Sequence, residues 1–197
     1  MTDHRKAYWQ IHFCVLLWGF TAILGKLISL PALALVCWRM LLVSSMLLLV
    51  PRVWRGLRAM SWKLMAKYAG IGVVVALHWL TFYGAIKLAN ASVAASCLAL
   101  GTVFAAILEP WIAGRRFDPR ELVLGVAVIP GMALLFGGVP TGMHTGIVVG
   151  VLSAFLTALF STLNKRYVER ADSLTVTAVE LGAGTLFLAV LSSHCTG

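Results

Sequence analysis

The sequence predicts an all-α, polytopic membrane protein with seven transmembrane helices, and three observations support this fold class. Sixty per cent of the residues are hydrophobic and only 12% are charged, whereas a soluble domain carries about 25% charged residues. The charged residues also fall in short clusters between long apolar spans. Finally, residues 68–86 and 88–108 contain no Asp, Glu, Lys or Arg. As helices, both segments are long enough to cross a hydrocarbon core of roughly 30 Å.

These two uncharged spans form the predicted centre of the protein. Only the short segment LANAS connects them, so we expect a transmembrane helical hairpin. Its ionisable groups are His78 in the middle of the first arm, Lys87 at the tip and Glu109 at the end of the second arm. Such groups are costly in lipid and usually face protein or water.

The remaining spans flank the hairpin on both sides. Two apolar spans precede it and three follow it, at residues 8–30, 32–50, 122–138, 146–163 and 174–191. Residues 51–67 contain five bases and no acid, interleaved with Trp and Leu, which predicts an amphipathic segment on anionic lipid headgroups. Pro130 and Gly131 predict a kink in the fifth span.

The distribution of basic residues predicts the orientation. Thirteen of the sixteen Lys and Arg residues fall on one side if the N-terminus is cytoplasmic. The positive-inside rule therefore favours a cytoplasmic N-terminus in a bacterial-type cell membrane, that is, an inner membrane. Because the bases form clusters between spans, the net charge of +9 indicates membrane topology and not a nucleic-acid partner.

No cofactor or metal is predicted. The cysteines Cys14, Cys37, Cys97 and Cys195 are widely spaced and form no CxxC or Cys/His ligand pattern, so we expect packing roles for them. The sequence also lacks a GxxxxGK[ST] phosphate-binding loop, which argues against ATP as the energy source.

A weak internal repeat links the two ends of the chain. Lys26 ends the first span and Arg39 lies within the second, while Lys165 ends the sixth and Glu180 lies within the seventh. If a second unit begins near Gly146, five spans precede it. An odd number of spans inverts the second unit, as in many secondary transporters.

Three stretches resemble the EamA family of the drug/metabolite transporter superfamily. They are LLWGFTAILGKLISLPALALVCWRM, the hairpin ALHWLTFYGAIKLANASVAASCLAL with the later LEP, and RELVLGVAVIPGMALLFGG; GVLSAFLTALFSTLNKR is similar to the opening of a second EamA unit. The resemblance implies ten spans in two inverted five-helix repeats and export of metabolites or amino acids. Two features depart from it: Arg115 and Arg116 follow Gly114 where many members have Glu-Arg, and spans eight to ten are absent.

We therefore expect a first five-helix EamA repeat at residues 1–139 and an incomplete second repeat of two helices at residues 140–197. The expected function is secondary-active efflux, by alternating access, of small metabolites such as amino acids or drug-like compounds. One alternative is a truncated, inactive fragment or a half-module that needs a partner, either a homodimer or a missing second half. An enzyme is not expected. A lipid-modifying site would have to combine Glu109 with His144 or Asp118, and the predicted topology places His144 outside and Glu109 inside.

Two ionisable residues are candidates for substrate binding or coupling. Arg39, about 10 Å deep in the second span, could bind an anionic substrate group, pair with a carboxylate such as Glu180, or extend to the outer interface. His78 could carry a coupling proton or simply bond to a neighbouring helix. We predict that Trp18 and Tyr83 line the substrate path with these residues.

The sixth span and the inner interface supply the other candidates. Gly146, Gly150, Ser153, Thr157, Ser161 and Asn164 share one helical face, either lining the path or packing closely against another helix. We favour packing for the glycines and lining for Thr157, Ser161 and Asn164. Glu109 is predicted to pair with Arg115 at the interface or in a gate, and Lys26 and Lys87 are predicted to extend to the interface.

Overall fold

The computed structural model describes residues 3–167 and 170–195, and within these ranges all regular structure is helical. Its α-helices in chain order are α1 (Asp3–Leu27), α2 (Ala32–Leu48), α3 (Pro51–Ala59), α4 (Trp62–Leu88), α5 (Ala91–Cys97), α6 (Gly101–Ala113), α7 (Pro119–Val126), α8 (Val128–Gly137), α9 (His144–Tyr167) and α10 (Ser173–Cys195). The all-α fold class is thus confirmed. The packing role expected of the Cys195 side chain lies outside the described residues.

Six helical stretches in the described ranges are long and apolar enough to cross a membrane. They are α1, α4, α5 with α6, α7 with α8, α9 and α10. The predicted second span is shorter than expected, because α2 has 17 residues and then turns by 89° into α3. If α2 and α3 count as one bent span, the total is seven.

The sequence predicts one amphipathic segment at residues 51–67. The structure instead divides this segment between α3 and the start of α4. Pro51 begins α3, and the chain turns again at Met60 and Ser61. The Ser61 hydroxyl accepts a hydrogen bond from the Leu64 N–H at 3.4 Å and so caps α4. Within α3, Val53 is fully buried whereas Arg55 and Arg58 are exposed, as expected of a helix lying along an interface.

The α4 helix is the centre of the structure, as the charge-free hairpin predicts. Half of its most apolar window is buried, compared with 6% for α1 and 11% for α7 with α8. One side of α4 packs against α9, and other sides contact α2 and α10. The core residues include Met40, Tyr68, Val75, Ile86 and Leu188. The side chains of α4 therefore determine which polar groups meet inside the protein.

Two predicted spans are broken, and the second break has a local cause. The second arm of the hairpin contains a 3₁₀ turn at Leu98–Leu100 between α5 and α6. The fifth span breaks at Ala127 and not at the predicted Pro130–Gly131 position. Pro130 has no N–H to donate to the carbonyl of residue 126, so the interruption falls one turn before the proline.

Candidate functional site

A cavity of about 410 Å³ opens between the end of α1, the start of α2 and the end of α4. Arg39 lines it, and the other lining residues are apolar or uncharged: Thr21, Leu24, Gly25, Ile28, Leu30, Leu35, Trp38, Leu42 and Tyr83. Cavities of about 300–1,000 Å³ suit small ligands. The site thus combines an apolar wall with one guanidinium group.

Two aromatic residues of α4 hold Arg39 in this cavity. Its Nη1 donates a hydrogen bond to the Tyr83 hydroxyl. Its guanidinium carbon lies 4.5 Å from the centroid of the Trp79 ring, within the range of a cation–π contact. No carboxylate of the described residues lies within 4 Å of Arg39. The positive charge therefore remains available to an anionic ligand.

The structure does not join Arg39 to Glu180, so the salt bridge considered from the sequence is absent. Arg39 contacts Trp79 and Tyr83, while the backbone of Glu180 packs against Gly72. These contact points are seven and eleven residues apart along α4, which corresponds to about 10–17 Å of helix. Arg39 and Glu180 therefore contact α4 at different depths of the bundle.

Trp18 and Lys26 do not line this cavity, although they are close to it in sequence. The Trp18 side chain is 70% exposed on the outer face of α1, and Lys26 is also exposed. On α1, Thr21, Leu24 and Gly25 line the cavity. Lys87 behaves differently from a simple interfacial side chain, because its Nζ donates to the Ile28 carbonyl and ties α4 to the turn before α2.

His78 is buried at the contact between α4 and α9. Its Nδ1 lies 3.0 Å from the carbonyl oxygen of Ser153. A carbonyl can only accept, so Nδ1 donates to it in the tautomer that has a proton on Nδ1; in the other tautomer, Nδ1 accepts from the Ser153 hydroxyl at 2.9 Å. The Ser153 hydroxyl in turn donates to the His78 carbonyl at 3.3 Å, and the Thr157 hydroxyl lies 2.8 Å from Nδ1. Of the two interpretations of His78, this geometry matches the histidine bonded to a neighbouring helix.

The residues on the polar face of α9 make several different contacts and do not together line one substrate path. Gly146 and Gly150 lie against Ala89 and Cys97, where an added Cβ would come within 2.6 Å of the Ala89 Cβ and 2.8 Å of the Cys97 Sγ. The packing interpretation therefore fits both glycines. Ser153 and Thr157 bond with His78, and Asn164 donates to Glu180. Ser161 is exposed.

A cluster of charged residues lies at the other end of the bundle, where α6 ends. Glu109 accepts a hydrogen bond from the Lys165 Nζ at 2.8 Å and forms an ion pair with the Arg115 Nε at 2.7 Å. Arg115 also pairs with Glu121, and this hydrogen bonding raises the pKa of Arg115 above its ordinary value. Arg166 donates to the Ile112 carbonyl at 3.0 Å. The predicted pairing of Glu109 with Arg115 is present.

This charged cluster links three helices around a second cavity. The cavity has a volume of about 470 Å³ and lies between α6, α7 and α9. Glu109, Arg115, Glu121 and Lys165 all line it. The Glu109–Lys165 pair connects α6 to α9, two helices that the sequence analysis assigns to different units.

Of the residues considered for a lipid-modifying enzyme, His144 lies far from Glu109. His144 begins α9, whereas Lys165, which binds Glu109, lies 21 residues later on the same helix, or about 30 Å away. Asp118 accepts the Arg120 N–H at 2.9 Å and caps α7. Among the residues that the structure describes, no group of three His, Cys, Asp or Glu side chains could hold a metal ion.

The sequence analysis did not predict three contacts: Trp79 with Arg39, Ser153 with His78, and Lys165 with Glu109. The sequence does contain a pattern that indicates the position of Trp79. It precedes Tyr83 by four residues, which places both rings on one helical face. The other two pairs join distant segments of the chain, and no spacing within one helix indicates them.

Comparison with known proteins agrees with this architecture. The EamA-like transporter family matches residues 5–137, which is more than half of the chain and includes α1 to α8. No curated protein and no solved structure matches the chain. The matched region contains Arg39, Trp79, Tyr83 and the hairpin around which the other helices pack, and on this match the chain belongs to the EamA-like transporter family.

Proposed function

We propose that this protein is a secondary-active exporter of small metabolites, such as amino acids or drug-like compounds, that works by alternating access. The observation that carries the proposal is the 410 Å³ cavity with Arg39 as its charged lining residue. An apolar wall and a guanidinium group together suit an amphipathic molecule with an anionic group, because the guanidinium forms charge-assisted hydrogen bonds with carboxylates.

The positions of the two cavities support the alternating-access mechanism. The Arg39 cavity lies where α1 ends and α2 begins, and the Glu109 cluster lies at the opposite end of α4. In our proposal, the Arg39 cavity is open to one side while the Glu109 pairs with Lys165 and Arg115 close the other. Partly exposed ion pairs contribute about 0–1 kcal/mol each, so such a gate could open at little cost.

We further propose that the N-terminus is cytoplasmic and that the protein resides in a bacterial-type cytoplasmic membrane. The asymmetric distribution of Lys and Arg supports this orientation. The Arg39 cavity would then face outward and the Glu109 cluster inward.

Single cysteines at the exposed positions Arg58 and Gly142, in a background without native cysteines, test the orientation. An impermeant thiol reagent on whole cells should label position 142 and spare position 58; the reverse pattern would refute it.

Helices α9 and α10 are proposed to begin a second, inverted EamA unit, with residues 1–139 as the first unit and 140–197 as the start of the second. The family match ends at residue 137, just before this boundary. In addition, α9 and α10 pack against α4 of the first unit. A proposed interface between repeats is where secondary transporters place their substrates.

The transport proposal can be tested with purified protein in liposomes. We expect saturable counterflow of a labelled amphipathic amino acid such as L-phenylalanine, or of a drug-like cation or anion from a small panel. Arg39→Gln should abolish the counterflow of anionic and zwitterionic compounds. Lys26→Gln removes a nearby exposed cation that does not line the cavity, and it should leave counterflow unchanged. Fluxes equal to those of empty liposomes for every compound would refute transport by this chain alone.

The rival proposal is a half-module that acts only with a partner, either a second copy or a second half. The exposure of α1, of which only 6% of the apolar window is buried, favours it over a self-sufficient bundle. It predicts that the protein alone shows no counterflow. Reconstitution of a crosslinked dimer, or of the protein with a co-purified partner, should restore counterflow. We propose no enzymatic activity and no bound cofactor.

A further inference from the structure

Glu180 is the acidic residue that the structure buries inside the helix bundle. Its side chain belongs to α10, about 10 Å from the start of that helix, and the residue is only 7% exposed. The other described acids, Glu109, Asp118, Glu121 and Asp172, each cap a helix or pair with a cation near a helix end. Glu180 therefore has a different environment from these four carboxylates.

The contacts of Glu180 leave one oxygen without a partner. The Asn164 Nδ2 donates to Oε2 at 3.4 Å, whereas Oε1 is buried and accepts no hydrogen bond. No Lys or Arg side chain within residues 3–167 and 170–195 forms an ion pair with it. A buried carboxylate without a cation is strongly disfavoured in its charged form.

The surrounding helices offer Glu180 no compensating charge. On α4 the facing titratable residue is Tyr68, whose hydroxyl donates to the Tyr167 carbonyl at 2.9 Å. On α9 the facing polar residue is Asn164. Arg39 of α2 is engaged with Tyr83, and Arg52 of α3 pairs with Asp172 at 2.5 Å. A neutral, protonated carboxyl group fits this setting.

We propose that Glu180 is the site at which this protein binds and releases a coupling proton, an inference that rests on the proposed transport function. The reaction is proton exchange alone: the carboxylic acid releases H⁺ to water and becomes a carboxylate, and the carboxylate later takes H⁺ back. A divalent metal cation is a poor alternative, because Ca²⁺ takes about six to eight oxygen ligands. Here one carboxylate and one amide meet.

Tyr68 marks the route between Glu180 and the end of the bundle. It is fully buried and lies within electrostatic range of both Glu180 and Arg170, which belongs to the exposed segment before α10. A modest separation of α4 from α10 would admit water to Glu180 along this side. Since α10 also contacts α2, which carries Arg39, a movement that exposes Glu180 can couple to the substrate cavity.

His78 is a weaker candidate for the same task. Its Nδ1 already faces the Ser153 carbonyl and the hydroxyls of Ser153 and Thr157. The ring packs beside Phe82 and Phe160, at centroid distances of 6.1 and 5.4 Å. A charged imidazolium there would lie among apolar rings, with no carboxylate of the described residues within ion-pair distance. We therefore assign coupling to Glu180 and a structural role to His78.

The first test detects the protonated carboxyl group directly, without any transport assay. Infrared spectra of the purified protein at neutral pH should contain the C=O band of a protonated carboxylic acid. Glu180→Gln, which preserves shape and neutrality, should remove the band, while Glu121→Gln should retain it. A wild-type spectrum without the band, or a band that persists in Glu180→Gln, would overturn the proposal.

The second test separates coupling from transport. In liposomes, a pH gradient should drive L-phenylalanine accumulation by the wild type but not by Glu180→Gln, while Glu180→Gln should retain counterflow under equal pH. Gradient-driven accumulation by Glu180→Gln would overturn the assignment. If the wild type shows no flux of any compound, the transport proposal fails, and the infrared result alone decides whether Glu180 is a proton site.

Discussion

The guanidinium of Arg39 on α2 lies over the indole ring of Trp79 on α4, with 4.5 Å between the guanidinium carbon and the ring centroid. The Tyr83 hydroxyl, one helical turn further along α4, accepts a hydrogen bond from the same guanidinium. This clamp holds the cation at the wall of an otherwise uncharged cavity without neutralising it. The arrangement makes Arg39 the residue most sensitive to substitution in the proposed substrate site.

Arg39→Lys should weaken substrate binding although it keeps the positive charge. Lysine lacks the planar fork that holds a carboxylate and stacks on an indole. Loss of one charge-assisted interaction of about 1.5–3 kcal/mol corresponds to a roughly 10- to 100-fold rise in the half-saturating concentration. Counterflow of L-phenylalanine at increasing concentrations measures this rise, with Lys26→Gln as the control. An unchanged half-saturation in Arg39→Lys would exclude a direct role in carboxylate binding.

His78→Leu should lower the melting temperature of the protein, because it removes the hydrogen bonds that join the His78 Nδ1 of α4 to Ser153 and Thr157 of α9. Hydrogen bonds between membrane helices contribute about 0.5–2 kcal/mol. His78→Asn should recover most of the loss, since its side-chain N–H₂ occupies nearly the position of Nδ1–H. Thermal unfolding in detergent distinguishes the two variants. Equal melting temperatures for Leu, Asn and wild type would show that the contact contributes nothing.

The pH dependence of transport should be the same in His78→Asn and wild type, in keeping with a structural role for the histidine. A pH profile of gradient-driven uptake measures this directly. If His78→Asn folds normally but loses its response to the pH gradient, proton coupling involves His78, and the structural assignment fails.

Gly72→Ala should be destabilising, whereas Gly70→Ala on the same helix should not. A Cβ at Gly72 would overlap the Glu180 carbonyl oxygen, and backbone cannot move aside as a side chain can. A Cβ at Gly70 meets no atom within 4 Å. Because alanine favours helix by about 1 kcal/mol over glycine, Gly70→Ala should be neutral or slightly stabilising. Melting temperatures of the two variants provide the comparison, and equal values would mean that α4 and α10 do not approach closely at Gly72.

Removing the Glu109–Lys165 ion pair should have a small effect on stability. Glu109→Gln and Lys165→Met each remove one partner, and the double variant completes a thermodynamic cycle. Since the Lys165 side chain is 56% exposed, we expect a coupling energy below about 1 kcal/mol. Chemical denaturation of the four proteins measures it. A coupling well above about 2 kcal/mol would describe a rigid lock and would argue against a gate that opens in each transport cycle.

Much of the fold follows from local sequence properties. The apolar spans, the central hairpin and the basic clusters are visible because hydropathy and charge act over single segments, and the resemblance to EamA proteins rests on the same segments. The positions of the bends follow less directly from the sequence. The helix breaks at Ala127 and not at Pro130 because a proline removes the hydrogen bond of the preceding turn. The division of residues 51–67 into α3 and the start of α4 depended on the cap at Ser61.

The sequence by itself determined which residues lie in the membrane and which of them carry charge, because a ~30 Å apolar layer selects for long uncharged segments. Only the tertiary structure decided which polar groups meet. From their predicted depth in the membrane, Arg39 and Glu180 could have formed an ion pair. The rotation of α10 and its close approach to α4 at Gly72 instead place Glu180 away from Arg39. His78 likewise faces Ser153 because α9 packs on that side of α4. Helix rotation and approach distance depend on the packing of many side chains at once, and no single segment of sequence encodes them.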